Sequence, residues 1–474
     1  MKLMTIRSVA SAHGSTKVAA LRSTVRNFST GRAVGLCCIV IAWGLMLSSC
    51  AGVPLTEAAD TPAPENIEPH PNVTVVVPED LEPDPELARV RERELYIEAV
   101  LDNMDLEVKV GQLLMIGMPS DPNLRPLHHV DARLRRIVTT VQPGGFLVFA
   151  NNLDSPHQIA TFIEELQGLS AQPLMIGIDH EGGKVSRFST GGRLGATVVP
   201  PAADIGATGD PNYAYLVGGL LGRELREVGI TMNMAPVADV YTNPANSVIG
   251  DRAFGSDPEL VSLMTAEMVR GLQEEQVSAV LKHFPGHGDT VEDTHYEQAV
   301  VAHNRERLDA VEFRPFRAGI SAGADAVMTA HIGVPELTGS STPATFSYIL
   351  VTEILREQLG FEGVVITDSL TMGALRGNSE AEMVISAIEA GVDIALLPSS
   401  PMYVAEALVQ AVMSGRIREQ RIDESVRRVL RLKYDRGLYD DSFAANRSVE
   451  HSGTSVLGSP EHLRLVEEIL RAGR

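Results

Sequence analysis

Cysteine is nearly absent: three among 474 residues, Cys37, Cys38 and Cys50, all within the first 50. Nothing beyond residue 50 can therefore join a disulfide framework or a thiolate zinc site. Tryptophan is scarcer still, with Trp43 alone, and aromatics make up only 5%. That poverty argues against a long polysaccharide cleft floored by stacking rings. No Gly-x-Gly-x-x-Gly follows the first β-rich run, which weakens a dinucleotide-binding reading. Basic side chains are outnumbered 40 to 61, for a net charge of −21. Residues 1–49 hold six basic side chains and no acidic ones, so the rest of the chain stands at −27. Such an acidic body repels phosphate backbones and argues against nucleic acid as a partner. Apolar residues at 44% and charged residues at 21% exclude wholesale disorder and a polytopic membrane protein.

The N-terminal region reads as an address. Residues 33–47 (AVGLCCIVIAWGLML) are an apolar run of 15 behind the basic segment, short for a membrane span and right for a signal-peptide core. The run ends in Leu47-Ser48-Ser49-Cys50, which resembles the lipobox of bacterial lipoproteins. In such proteins the peptide is cut before the cysteine, whose sulfur carries a diacylglycerol, so the resemblance implies lipidation at Cys50 and an exported, membrane-anchored protein. Residues 51–86 contain eight prolines, nine acidic residues and no Lys or Arg, a composition that predicts an extended tether. The expected organisation is a signal peptide over 1–49, a lipidated Cys50 and linker over 50–94, a folded body over 95–440, and a C-terminal extension over 441–474 with a helix over 462–471.

In the body, short β-rich runs alternate with helical stretches. Candidate strands are 113–117, 144–150, 174–179, 233–240, 279–284, 326–331, 363–369 and 394–398; candidate helices include 156–169, 213–228, 260–275, 305–320, 348–359 and 402–412. Continuous apolar strands indicate burial on both faces, as in parallel sheets. Eight of them with intervening helices predict an α/β fold, a (β/α)8 TIM-type barrel, with a doubly wound open sheet as the alternative.

Polar residues fall where such a barrel would use them. Asp179-His180-Glu181, Asp239, Lys282-His283, His331 and Asp368 end five consecutive apolar runs, and a barrel gathers those ends on one rim. The densest stretch, Lys282–His295 (KHFPGHGDTVEDTH), holds three of the chain's 13 histidines. One reading is a metal site from His283, His287, Asp293 and His295, but the spacing matches no established zinc pattern. The other is proton transfer: Asp293, two residues before His295, can accept from one ring nitrogen while the other faces the site. A carboxylate such as Asp368 opposite a proton donor is the layout of glycoside hydrolysis with retention.

These segments, Lys282–His295 with Gly177–Phe188 and Ile366–Leu370, resemble glycoside hydrolase family 3, and the loop KHFPGHGDT…DTH resembles its β-N-acetylglucosaminidase branch. The likeness covers roughly 100–440. It implies that Asp368 is the nucleophile, His295 the general acid/base and Asp293 its partner, and that Asp179, Arg187, Arg252, Lys282 and His283 hold the sugar, with Lys282, His283 and the arginines donating to hydroxyls or the amide. His287, Asp239 and Met372 are expected one layer behind. The chain departs from the pattern at His180, Lys184 and Thr294, where relatives carry Gln, Arg and Ser. No metal or other cofactor is expected. The implied substrate is a small oligosaccharide or muropeptide, hydrolysed by a monomer that removes terminal GlcNAc from peptidoglycan or chitin fragments. A neutral imidazole would not repel phosphate as a second carboxylate would, so phosphorolysis to GlcNAc-1-phosphate is an admissible alternative. Others are a non-catalytic sugar-binding lipoprotein and a sister glycosidase.

Overall fold

The computed structural model describes residues 85–118, 125–291, 299–372, 375, 379–440 and 455–474. Its centre is an eight-stranded parallel barrel: β1 (Leu114–Gly117), β2 (Gly145–Val148), β3 (Met175–Ile178), β4 (Met232–Asn233), β5 (Ser278–Phe284), β6 (Ala326–Thr329), β7 (Val364–Thr367) and β8 (Ala395–Leu396). Each strand pairs with its sequence neighbour, and β1 pairs with β8. An isolated Ile366–Ile394 bridge and a 2.9 Å bond from the Thr367 amide to the Ile394 carbonyl link β7 to β8 and close the ring.

Alternation along the strands builds two cores. Inward residues Met115, Leu147, Met175, Met232, Val280, Met328 and Ile366 fill the cylinder, and methionine suits so irregular a space. Outward residues Leu114, Ile116, Phe146, Val148, Ile176 and Ile178 meet the helical shell. All eight predicted strands exist. Most run a residue or more beyond the observed ends, and the fourth, which ran to residue 240 in the sequence reading, is the most overlong. Its regular ladder breaks after Asn233, where the Ala235 amide bonds Asn233 O at 2.7 Å and Pro236 has no N–H to donate. Pairing with β5 resumes through a Val237–Lys282 bridge and the Ala238 amide to Lys282 O at 2.6 Å.

The shell helices start on local signals. Ser155, Asp210 and Asp257 cap Pro156–Gln167, Pro211–Glu227 and Pro258–Glu274, each accepting from a first-turn amide and each followed by proline. The last two helices approach so closely that a Cβ at Gly271 would lie 2.1 Å from the Tyr215 carbonyl oxygen. The predicted helix over 305–320 is two, Arg305–Ala310 and Phe313–Ser321. Helix Pro85–Asp102 begins inside the segment expected to be linker. It packs on helix Glu419–Asp435 through Arg93–Asp435 and Arg431–Glu94 pairs, so the end of the expected linker is half of an interface.

Helix Glu419–Asp435 closes the barrel's N-terminal end. Val429 and Leu432 join the inner core, and Lys433, fully buried, donates to Gln112 Oε1 at 2.6 Å. Helix Pro460–Ala472 packs against Ala202–Ala207 and Pro211–Glu227. Among the described residues no helix is long and apolar enough to cross a membrane. Cys50 and the rest of the expected signal peptide and tether up to residue 84 lie outside the described residues.

Candidate active site

The C-terminal ends of β3, β5 and β7 deliver three groups to one cleft. Asp179 and Glu181 follow β3, Lys282 and His283 end β5, and Asp368 follows β7. Arg252, on a short turn after β4, and Arg187 complete the polar lining, while Leu147, Met328 and Leu396 form the floor. The cleft holds about 160 Å³.

One ion network shapes its wall. The Lys282 ammonium, 2% exposed, lies 2.8 Å from Asp179 Oδ1 and 2.6 Å from Glu181 Oε1. Arg252 grips Glu181 with two parallel bonds of 2.8 Å, from Nε and Nη2. Burial alone would raise the Glu181 carboxyl, but Lys282 and Arg252 hold it far below the usual carboxylate range. The Arg187 guanidinium is exposed and, among the described residues, has no ion-pair or hydrogen-bond partner; its amide donates to Asp179 O at 3.2 Å. It is a free cation at the mouth.

A second network sets a tautomer. Asp239, fully buried, accepts from His283 Nδ1 at 2.7 Å and from the amides of His283 and His287 at 3.3 and 2.6 Å. Burial pushes the Asp239 carboxyl up to about 6. Burial, with the positive charges of Arg252 and Lys282 beside it, pushes His283 down to about 3. At neutral pH His283 is therefore uncharged, with its proton on Nδ1 facing Asp239. Its Nε2, 3.4 Å from Arg252 Nη2, is an acceptor. This corrects the expectation that His283 donates to the sugar: its Nε2 lone pair accepts a hydrogen bond, from the Arg252 guanidinium or from a hydroxyl.

Asp368 is half-buried, and its Oδ1 accepts from the Ser369 amide at 2.7 Å. The buried His331 donates from Nε2 to the Ser369 carbonyl at 3.0 Å, so it positions the turn after Asp368 and does not reach into the cleft. His180 also departs from the rim reading. It is fully buried beside Phe188, and among the described residues neither ring nitrogen has a hydrogen-bond partner. Lys184 pairs at the surface with Asp251 at 3.0 Å. His287 lines the cleft, its Nδ1 2.6 Å from Thr290 Oγ1, while Met372 is buried outside the lining.

The structure thus gathers Asp368, Asp179, Arg187, Arg252, Lys282 and His283. Asp293, Thr294 and His295 lie outside the described residues. Both stems of their loop are anchored at the rim. Thr290 is held by His287; Ala299 and Val300 pair with Ile332 and Gly333 just beyond β6; and His303 meets Asp289 at 2.7 Å. Among the described residues no three His, Cys, Asp or Glu side chains are grouped to hold a metal ion. Sequence reasoning left Glu181 without a role and set His287 one layer back although it lines the cleft, while Asp239 does stand one layer back, behind His283. The hint for Glu181 was its i, i+2 spacing from Asp179, which in an extended segment puts both on one side.

The chain belongs to glycosyl hydrolase family 3: that family's N terminal domain matches residues 105–432. Beta-hexosaminidase A of Pseudoalteromonas piscicida is 34% identical over 403 residues, 77% of this chain and 65% of its own length. The solved structure of a glycoside hydrolase family 3 beta-N-acetylglucosaminidase from Paenibacillus sp. is 41% identical with a TM-score of 0.72, over 78% of this chain and 69% of its own. A beta-glucoside phosphorylase structure is more distant, at 25% identity and a TM-score of 0.69, over 80% of this chain and 67% of its own.

Proposed function

We propose that the protein is an exo-acting, retaining β-N-acetylglucosaminidase that hydrolyses terminal GlcNAc from peptidoglycan or chitin fragments, exported as a lipoprotein anchored through Cys50. The observation that carries the reading is the meeting of the Asp368 carboxylate with the Asp179–Lys282–Glu181–Arg252 network in one small cleft. At about 160 Å³ it is below the ~300–1,000 Å³ of ordinary ligand pockets and suits a single sugar ring. Asp179 and the Nε2 of His283 accept from hydroxyls; Arg187, Arg252 and Lys282 donate to hydroxyl or amide oxygens. An Asp368 oxygen attacks the anomeric carbon as the bond to the leaving oxygen breaks. The protonated His295, steadied by Asp293, donates its proton to that oxygen. Neutral His295 then takes a proton from water, whose oxygen displaces Asp368 with overall retention.

The test is to trap the intermediate with a fluorinated GlcNAc analogue. The added mass is expected on the peptide holding Asp368, and a label elsewhere overturns the assignment. Hydrolysis is favoured over phosphorolysis by the hexosaminidase relatives, which stand closer than the phosphorylase. GlcNAc-1-phosphate as the main product in phosphate buffer reverses that choice. For the anchor, fatty-acid incorporation should vanish in Cys50→Ala; incorporation that survives removes the lipoprotein reading.

A further inference from the structure

The barrel end opposite the cleft carries a hollow of about 450 Å³. Its walls come from helix Ile349–Gln358, the end of helix Glu380–Ala390 and residues 416–428. Arg356 reaches from it to the carbonyls of Phe361 and Gly363, just before β7, and Gly391 lies just before β8. Behind the lining stands Asp393, fully buried, accepting from the Val365 amide at 2.9 Å and from Ser425 Oγ at 2.6 Å. Three guanidinia gather on this one carboxylate: Arg356, Arg428 at 3.1 Å and Arg421 at 3.8 Å.

In a chain of net charge −21, these cations outnumber their counter-charge. Arg356 and Arg252 have the same side-chain exposure, 11%, but different company. Against burial, Glu181 holds Arg252 above its ordinary value. Burial, with Asp393 opposing and Arg428 and Arg421 adding to it, pushes Arg356 down to about 10. The acids on the walls do not make up the difference. Glu389 is taken by Arg416 at 2.8 Å, Glu357 is exposed, and Glu424 accepts from Gln420 Nε2 at 3.3 Å and pairs with no arginine among the described residues. Two guanidinia have donors to spare. Arg428 commits only Nη1, to Asp393, and the exposed Arg418 has no side-chain partner among the described residues. Arg421, by contrast, is pinned to the carbonyls of Ile388 and Val392 at 3.1 and 2.8 Å, and with Arg356 it holds the positive field in place. Arg418 is also the N-cap of helix Glu419–Asp435, so the positive end of that helix dipole adds at the same wall. Guanidinium forks arriving from several directions match the oxygens of a tetrahedral phosphate. The volume falls within the ~300–1,000 Å³ of ordinary ligand pockets, which leaves room for a small body beside the phosphate.

We propose that this hollow is a second ligand site, which binds a phosphate-bearing molecule through Arg418 and Arg428 in the field of Arg356 and Arg421. The phosphate can belong to a soluble phosphate ester or to the headgroup of an anionic phospholipid; the chemistry recognised is the same. The site lies at the far end of the barrel from Asp368 and stands whether or not the cleft cleaves glycosides.

Calorimetric titration of the full chain tests it with three probes: inorganic phosphate, glycerol 3-phosphate, and dihexanoyl phosphatidylglycerol kept below its micelle concentration. At least one is expected to bind saturably and to raise the melting temperature, while sodium chloride at matched ionic strength does neither. The probe that binds tightest identifies the source of the phosphate. In the Arg418→Gln/Arg428→Gln variant its affinity should fall about ten-fold or more. Arg418 is exposed, so Arg418→Gln alone is expected to keep the wild-type melting temperature and to weaken binding about three-fold or more; it carries the test if the double variant fails to fold. Phosphate held in the cleft by Arg187 and Arg252 would bind both variants as tightly as the wild type. Absence of saturable binding by all three probes, or binding unchanged in the folded Arg418→Gln variant, overturns the proposal.

Discussion

At Glu181 one buried carboxylate meets the ammonium of Lys282 and the guanidinium of Arg252. Glu181→Gln leaves Arg252 without its counter-charge and Lys282 with Asp179 alone, and is expected to cost about 3–5 kcal/mol, read from urea unfolding. The Glu181 carboxyl is held far below its ordinary 4.5, so its stabilisation is complete above that pH and declines as pH falls beneath it. The acid-side loss of stability should therefore be shallower in the variant than in the wild type. Asp239 controls the neighbouring imidazole. With its carboxyl raised to about 6, it protonates below that pH and ceases to fix the Nδ1–H of His283. We expect an acid limb near 6 in the pH profile of kcat/KM for an aryl β-GlcNAc. In Asp239→Asn that limb should disappear, with kcat/KM at neutral pH about 10- to 100-fold lower. Asp179, Lys282, His283 and Asp368 were legible because they end apolar runs. The partner of each side chain was not: an ion pair such as Arg252–Glu181 spans 71 positions, and spacing carries no trace of it.

Among the elements, the strands were the legible part, since apolar runs buried on both faces interrupt the helical pattern. The overlong fourth strand shows the limit: Met234, Ala235, Val237, Ala238 and Val240 are as buried as strand residues, yet only an isolated Val237–Lys282 bridge continues the pairing. Helices Ala132–Val141 and Glu419–Asp435 bury narrow stripes under many charges, and polarity hid their period. The C-terminal helix was legible as an element but not as a contact. Glu224, fully buried, accepts from the Thr197 amide and hydroxyl at 2.9 and 2.6 Å, from the Gly458 amide at 2.9 Å and from His462 Nδ1 at 2.9 Å. Burial works to raise this carboxyl, while the bonds from His462, Thr197 and Gly458 hold it below its ordinary value. Thr197 leads to Val199, whose carbonyl accepts from the Gly183 amide at 3.0 Å, so the far end of the chain braces the β3 loop that carries Glu181 and Arg187. Glu224→Ala is expected to lower stability by about 3 kcal/mol, measured by thermal denaturation.

For the whole molecule, the plugged barrel end carries a liability. Burial depresses the Lys433 ammonium from 10.5 to about 7, with Gln112 its hydrogen-bond partner. Between those two values the unfolded chain holds more protons than the folded one, so stability rises with pH across that window. Lys433→Met should remove this slope and stabilise the protein by about 1–4 kcal/mol at pH 7, with the gain vanishing toward pH 10.5; melting temperatures across that range provide the check. The plug has a consequence for turnover. With Val429 and Leu432 stoppering the cylinder from below, the described residues leave its C-terminal rim as the doorway. On the retaining mechanism proposed above, the severed fragment vacates that doorway before water approaches the bound sugar, and the freed sugar then stands in the path of its successor. A protein built this way works through a queue, one guest at a time.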